Sequence, residues 1–344
     1  MMNVIRKIYF VLLLQSYASC SFAQMPVSMT KQKNMAIWGV PGANYSGITR
    51  LGNNRYAIVS DKEMAEGFYV FDITINNKQQ IDHINVISKP TILDVKGISK
   101  GKSSVDAEDI AFVPTSQTIF ISEESSQRIR EYTLDGQQTG RELHIPRYLS
   151  TDSIYSNYGF ESLTYSPADQ LLWTVTEHTL IHDGNISNVS NRSNCTLRLQ
   201  SFDPSTCKPV SCHRYKTDIP TVKRRGRNYA FGVSALCALE DGSILVMERE
   251  FHVAKRYLGS WGNTKIYRTD PHNINDEGYL SKVLVTEFKT RLNLYSRNIA
   301  NYEGMCLGPK LPDGSQTLLL ISDSQDNYGN KLFHLKDYIK IIRL

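Results

Sequence analysis

Long apolar segments are scarce in this sequence of 344 residues. The longest uninterrupted apolar run covers residues 8–14, which is too short to cross a bilayer as a helix. We therefore expect no membrane span. A large excess of positive charge is also missing, because Lys and Arg total 39 against 34 Asp and Glu, a formal net charge of +5. So mild a charge argues against a nucleic-acid-binding protein.

Several familiar metal and phosphate motifs are absent. The sequence has no His-Glu-x-x-His pair and no glycine-rich phosphate-binding loop ahead of a helix, which argues against those zinc and nucleotide sites. Cysteines are few and lack zinc spacing. Beyond the N-terminal segment they are Cys195, Cys207, Cys212, Cys237 and Cys306. The odd number leaves at least one free thiol. Cys207 and Cys212 flank Lys208-Pro209, which we interpret as a hairpin turn, and a disulfide between them stays open.

The N-terminal residues have the pattern of a secretory signal. Arg6 and Lys7 precede the apolar run, and Ser21-Phe22-Ala23 is a small-residue cleavage site. We expect residues 1–23 to be a signal peptide cleaved after Ala23, and the product to be exported to the periplasm or the medium. Lipidation of Cys20 is the alternative, although Tyr17 fits a lipoprotein signal poorly.

A weak internal repeat predicts the fold. Each copy has a small or acidic pair, an apolar strand, a turn, and a second apolar strand that ends near an acidic residue. Equivalent apolar residues of the five readable copies are spaced by 62, 53, 73 and 69 residues: Ile48, Ile110, Leu163, Leu236 and Met305. Short strands separated by Gly, Pro, Asp and Asn turns predict an all-β protein.

Radial repetition of such units predicts a β-propeller of four-stranded blades that forms a single domain over residues 24–344. Five blades are readable, and a sixth, degenerate blade stays open. We expect the segment containing Met35–Trp38 to be extended and to complete the last blade beside residues 332–335.

Acidic residues recur at two positions of the repeat. The first strand of a blade begins, and the second ends, at the same face, so both positions are expected at one rim of the central channel. They are Glu108, Asp109, Glu161 and Glu303 on first strands, and Asp61, Glu123, Glu124, Glu177, Glu248, Glu250, Asp323 and Asp326 on second strands. Carboxylates this crowded need compensating charge. Either a hard cation such as Ca²⁺ provides it, or arginines such as Arg128, Arg130 and Arg249 do.

Basic residues cluster at 223–227, on a loop expected at the same face. Guanidinium groups suit phosphate, so Arg224 and Arg225 are candidate phosphate ligands, and a simple solvated loop is the alternative. Three aromatic residues follow in a long insertion: Tyr257, Trp261 and Tyr267. They fit either a binding surface or packing within the blade.

Four segments carry a family resemblance: residues 157–163 (NYGFESL), 246–251 (VMEREF), 301–305 (NYEGM) and 319–323 (LLISD). They resemble the phytase-like propeller family described as "esterase-like activity of phytase", over roughly residues 46–335. The resemblance implies an exported propeller related to calcium-dependent phytases.

The resemblance also implies roles for individual residues. The matching positions Glu161, Glu248, Glu303 and Asp323 would bind Ca²⁺, and Glu161 and Glu303 would be catalytic. Arg249, with Arg224 and Arg225, would bind the substrate phosphate. The sequence departs from the family pattern at Ser162, where Gly is usual.

These observations favour an exported, Ca²⁺-dependent hydrolase of a phosphate ester, such as an inositol phosphate. Two alternatives stay open. One is a metal-assisted hydrolase of carboxylic esters or lactones. The other is a non-catalytic binding module, because propeller faces also serve as interaction surfaces.

Overall fold

A computed structural model describes residues 27–60, 67–76, 78–87, 91–92, 106–325, 327–330 and 334–344. The expected signal peptide, its cleavage site and Cys20 lie outside the described residues. So do Asp61, Asp326, Leu332 and Phe333. The helices of the described part are three short 3-10 turns: Met35–Trp38, Arg147–Leu149 and Thr151–Ser153. None of them has the length and apolar character needed to cross a bilayer.

The described strands form five antiparallel sheets, which are the blades of a propeller. Two short strands come first: β1 (Ser28–Met29) and β2 (Lys33–Asn34). Blade 1 contains β3 (Tyr45–Gly52), β4 (Arg55–Ser60), β5 (Gly67–Ile75), β6 (Ile81–Val86) and β7 (Thr91–Ile92). Blade 2 contains β8 (Ala107–Val113), β9 (Thr118–Glu123), β10 (Arg128–Thr133) and β11 (Gln138–Glu142).

The remaining blades follow the same order along the chain. Blade 3 contains β12 (Phe160–Ser166), β13 (Leu171–Thr176), β14 (Thr196–Asp203) and β15 (Lys208–Lys216). Blade 4 contains β16 (Asn228–Ala238), β17 (Ile244–Ala254), β18 (Tyr257–Ile274) and β19 (Leu280–Leu292). Blade 5 contains β20 (Asn301–Lys310), β21 (Gln316–Asp323) and β22 (Tyr338–Arg343), joined by β1 and β2.

The ring is closed by both ends of the described chain. In blade 5, Ser28 of β1 is opposite Arg343 of β22, and Lys33 of β2 is opposite Ile339. The expectation that the N-terminal segment completes the last blade is therefore confirmed, but through different residues. Met35–Trp38 is a 3-10 turn rather than a strand, because the Asn34 side chain accepts a hydrogen bond from the Ala36 amide and caps the turn.

Five blades complete the circle without a sixth among the described residues. The first strand of each blade lies against the first strands of both neighbours. One apolar core lies between each pair of neighbouring blades, since each blade is a sheet that must bury both of its faces. Representative members, from the core of blades 1 and 2 round to that of blades 5 and 1, are Val59 and Ile121, Phe120 and Phe160, Val175 and Val246, Met247 and Leu320, and Ile321 and Ile58.

Blade 4 is longer than the others. Its second strand, β17, has 11 residues and its third, β18, has 18, whereas β9 and β13 have 6 each. The turn between β17 and β18, with Tyr257 at positive φ, therefore lies well beyond the channel end of the neighbouring second strands.

Cys207 and Cys212 are not bridged. The hairpin turn lies at residues 204–207, and Lys208-Pro209 already belongs to β15, so the interpretation of that dipeptide as a turn is wrong. Five positions along an extended strand separate the two residues by about 16 Å, far beyond the reach of a disulfide.

Candidate functional site at the channel mouth

A β-bulge recurs in the first strand of every blade, near the start of that strand in blades 1, 2, 3 and 5 and in the middle of the longer first strand of blade 4. In blades 2, 3 and 5 the extra residue is Glu108, Glu161 and Glu303, and in blade 4 it is Ser234. In blade 1 the irregularity covers Ser46 and Gly47. A bulge redirects the side chain of its extra residue, so three blades aim a carboxylate at one end of the channel.

These carboxylates meet others from second strands and from the loops that follow them. Charges on Glu124 of blade 2, Glu177 of blade 3 and Glu303 of blade 5 all act on Glu161, as does Arg249 of blade 4. Groups from four blades can converge only near the propeller axis. We call this set the channel mouth: Glu124, Glu161, Glu177, Arg249 and Glu303.

Arg249 is the cation at the centre of this set. Its Nη1 donates to Glu303 Oε1 at 2.5 Å and to Asn301 Oδ1 at 3.3 Å, and its Nη2 donates to Glu177. The guanidinium is buried, and its Nε has no hydrogen-bond partner among the described residues. Arg249 therefore ties blade 4 to blades 3 and 5 through two ion pairs.

Repulsion and burial together raise the pKa of acids at the channel mouth. Burial, opposed by Arg249 and reinforced by Glu124 and Glu303, raises the pKa of Glu177 to about 7. Burial and the charge of Glu177 hold the pKa of Glu161 well above its ordinary range. One guanidinium is therefore too little charge for four carboxylates, and the rest must come from bound protons or from a cation.

A second group of carboxylates adjoins the first through Glu124. One oxygen each of Asp106, Glu108 and Glu124 lies within 4.8 Å of the others. Burial, with repulsion from Asp106 and Glu303, raises the pKa of Glu124. Three hard oxygen donors at this spacing fit a divalent cation such as Ca²⁺.

The loop that holds Glu124 is packed tightly against blade 3. Glu124 Oε1 accepts a hydrogen bond from the Gly159 amide at 3.1 Å. A Cβ at position 159 would lie 1.9 Å from Gln127 Nε2, so only glycine permits this approach. Gln127 is buried, and its Oε1 has no partner among the described residues. The acids of blade 2 are thereby held next to Glu161.

Of the four ligands implied by the family resemblance, Glu248 does not join the channel mouth. Glu161 and Glu303 both lie at the channel mouth. Glu248 is engaged elsewhere, accepting from Tyr215 Oη at 2.7 Å, from Lys282 Nζ at 2.6 Å and from the Asp218 amide at 2.9 Å. The reason is strand alternation, since neighbours on β17 point to opposite faces and Arg249 takes the channel side.

Other acids of the repeat are engaged by backbone amides. Glu250 is bound by the Thr221 and Val222 amides, away from the channel mouth. Asp109 points between blades 2 and 3, where its Oδ2 accepts from the Leu163 amide at 2.7 Å. Asp323 is buried at the end of β21 opposite Asn301, and it accepts from the Gln325 amide at 2.6 Å. These carboxylates support the fold of the rim.

Arg224 and Arg225 lie apart from the channel mouth. They line a separate pocket at the far end of blade 4 together with Trp261, while Tyr267 is buried in the blade. Arg225 Nη2 also donates to Ser190 Oγ at 2.9 Å. The structure thus separates these arginines from Arg249, with which the sequence grouped them.

The sequence pattern did not identify Asp106 as a site residue, and it indicated Glu124 and Glu177 only as members of the acidic rim. Asp106 precedes β8 and belongs to neither recurrent position of the repeat. The signal that was available is the repeated bulge, because each Glu at a first-strand start is followed by Asp, Ser or Gly. Which second-strand acid faces the channel depends on strand alternation.

Comparison with known proteins shows the family. The model of the phytase-like family, described as "Esterase-like activity of phytase", matches residues 41–327. No curated protein matches the chain.

Similarities to solved structures are weak. An endo-1,4-β-xylanase from Bacteroides thetaiotaomicron is 12% identical with a TM-score of 0.44, over 86% of this chain and 90% of that one. A luciferin-regenerating enzyme is 11% identical with a TM-score of 0.40, over 91% and 95%. A DUF4221 member from Bacteroides vulgatus is 10% identical with a TM-score of 0.40, over 94% and 99%. Similarities at this level carry no argument about this chain.

The family match is of a different kind, because it spans most of the sequence. It includes the bulges that carry Glu108, Glu161 and Glu303 and also Arg249. The chain belongs to the phytase-like family described by the esterase-like activity of phytase.

Proposed function

We propose that the channel mouth is the active site of a hydrolase that cleaves a phosphate ester with the help of calcium. The observation that carries the proposal is the excess of carboxylates around one guanidinium. An arrangement so short of positive charge costs stability unless it serves to bind a cation or move protons. Family membership is consistent with hydrolysis of an ester.

Asp106, Glu108 and Glu124 are the residues that would hold the cation. Bound there, calcium would neutralise phosphate oxygens and draw the substrate towards the acidic rim. This ligand set differs from the one implied by the resemblance, because Glu248 is engaged by Tyr215 and Lys282. Glu161 and Glu303 are then left to carry the chemistry.

The two acids would divide the proton transfers. Arg249 and Asn301 stabilise the charge of Glu303. Glu303 takes a proton from the attacking water as the water oxygen bonds to phosphorus. Glu161, whose pKa is held well above its ordinary range by burial and by the charge of Glu177, gives its proton to the ester oxygen as the bond between that oxygen and phosphorus breaks. Arg249 acts as a positioning residue for Glu303 and Glu177.

The first test measures phosphate release from phytate and from an aryl phosphate, with calcium and with chelator, and follows the melting temperature in parallel. We expect turnover and thermal stabilisation that both require calcium. Asp106→Asn should lower calcium-dependent turnover at least roughly tenfold and reduce the stabilisation. Asp152→Asn removes an exposed acid and serves as the matched control.

Glu161→Gln separates cation binding from chemistry. It should retain calcium stabilisation while turnover falls roughly 100-fold or more, because the amide supplies no proton to the leaving group. If calcium neither stabilises nor activates the wild-type protein, the proposal is wrong.

Carboxylic ester hydrolysis is the second candidate, favoured by the same raised pKa of Glu161, which could equally give its proton to an alcohol leaving group. Turnover of aryl acetate but not aryl phosphate would select it. A Gly-x-Ser-x-Gly pentapeptide occurs at residues 97–101, outside the described residues. A serine elbow of the α/β-hydrolase kind joins a strand to an α-helix, and the described residues contain no α-helix.

A further inference from the structure

A second concave site lies at the far end of blade 4. It is a pocket of about 740 Å³ between the loop at residues 221–225 and the ends of β17, β18 and β19. It exists because these strands extend past those of the other blades. It shares β17 with the channel mouth, but His252 of the pocket is three residues beyond Arg249, or about 10 Å along the strand.

Positive charge dominates the wall of this pocket. Six cationic side chains line it: Lys223, Arg224, Arg225, Lys255, Lys289 and Arg291. Among the residues that the structure describes, no carboxylate lines it. Lys289 has a partner in Glu287 at 3.7 Å, and both side chains are largely exposed. Converging cations repel one another, so the pocket is electrostatically complementary to an anion.

A buried histidine at the pocket supplies the independent observation. The side chain of His252 is only 8% exposed, yet neither ring nitrogen has a hydrogen-bond partner in the described chain. Trp261 stacks on the ring with centroids 5.7 Å apart and planes at 22°. Gly226 covers it closely, since a Cβ there would lie 2.7 Å from Nε2. Unpaired buried polar nitrogens are rare, and at a pocket wall they point to a bound partner.

We propose that this basic pocket binds a phosphate or sulfate group, held by Arg224, Arg225 and His252. Guanidinium groups bind such oxyanions through paired N–H groups, and the unpartnered imidazole leaves one more polar group to be satisfied at the pocket wall. The pocket is much larger than one oxyanion, so the ligand carries this group on a larger body. This goes beyond the proposed hydrolysis, because binding here requires neither calcium nor the acids of the channel mouth.

The test is calorimetric titration of the full chain with tripolyphosphate, in buffer freed of divalent cations by a chelating resin. A dissolved chelator would itself be a competing polyanion. We expect saturable binding that weakens with added NaCl. Arg224→Ala with Arg225→Ala should weaken binding at least about tenfold, and so should His252→Phe. A parallel titration with sulfate distinguishes the sources, since competition by sulfate indicates general oxyanion binding and its absence indicates phosphate.

Two controls make the result decisive. Arg55→Ala with Lys78→Ala removes two exposed cations from blade 1 and should leave the affinity unchanged. Glu161→Gln should bind tripolyphosphate like the wild type, so failure of the hydrolase proposal and failure of this one are distinguishable. Absence of saturable binding of either anion refutes the proposal. Equal weakening in the pocket variant and the blade 1 control refutes it as well, and the double arginine variant decides the matter even if His252→Phe does not fold.

Discussion

The channel mouth and the basic pocket share one strand, β17, but the first has an excess of carboxylates and the second an excess of cations. At the channel mouth, buried and half-buried acids from blades 2, 3 and 5 surround the buried cation of Arg249. In the basic pocket, cations stand on exposed loops around a buried but unpaired His252. Because the charges of the channel mouth are buried, removing one partner of an ion pair there should lower the stability of the protein. The cations of the basic pocket are solvated, so substituting them should change ligand binding and hardly change stability.

The largest expected effect of a substitution is at Arg249. Arg249→Met leaves Glu177 and Glu303 buried without their counter-charge, which should destabilise the protein by about 3–5 kcal/mol. Urea denaturation measures the change. Adding Glu177→Gln to this variant should restore part of the loss, and a full additive loss in the double variant would contradict the ion-pair account.

The pH dependence of stability should reveal Glu177. Its pKa is raised from 4.5 to about 7, so the folded state binds a proton that the unfolded state has released between these values. The stabilising contribution is complete below pH 4.5 and is lost as pH rises through 7, an effect on the order of 3 kcal/mol. Glu177→Gln should flatten this slope in calcium-free urea titrations between pH 5 and 8, while Asp152→Asn should leave it as in the wild type.

A steric prediction comes next in size. Gly159→Ala forces a Cβ into Gln127 and the Glu124 loop, and should cost about 1–3 kcal/mol. It should also lower calcium stabilisation, because Glu124 belongs to both acidic groups. Gly42→Ala is the matched control, since its Cβ would make an ordinary 3.5 Å contact with Asp337. Equal effects of the two substitutions in denaturant titrations would refute the packing argument.

The smallest expected effect on stability is at the basic pocket. Arg224→Ala with Arg225→Ala should change the free energy of unfolding by less than about 0.5 kcal/mol, because both side chains are exposed. A loss near that of Arg249→Met would mean that the two regions do not differ as described.

Much of the fold was predictable from local pattern. The spacing of Ile48, Ile110 and Leu163 marked the first strands, and turn residues marked their ends. The closing strands were less accessible, because Ser28–Met29 and Lys33–Asn34 are too short to show periodicity.

The candidate site was predictable only in part. Glu161 and Glu303 carry a repeated signature, and the structure places both at the channel mouth. Glu248 and Arg249 are neighbours on opposite faces of β17, but the sequence could not say which of them faces the channel, since the bulges shift the register between first and second strands. Asp106 has no repeat equivalent and enters the site only through the loop before β8.

By itself, the sequence determined the blade unit and five readable copies of it, because these rest on strand periodicity and turn chemistry that act over a few residues, and its four motif segments indicated the family. Tertiary structure decided which acids meet, which are engaged by Lys282 and Tyr215, and that Arg224 and Arg225 line a different pocket from Arg249. The physical reason is that charge interactions act through space between separate blades. Closure of the ring brings Glu124, Glu177 and Glu303 together from positions far apart in the chain.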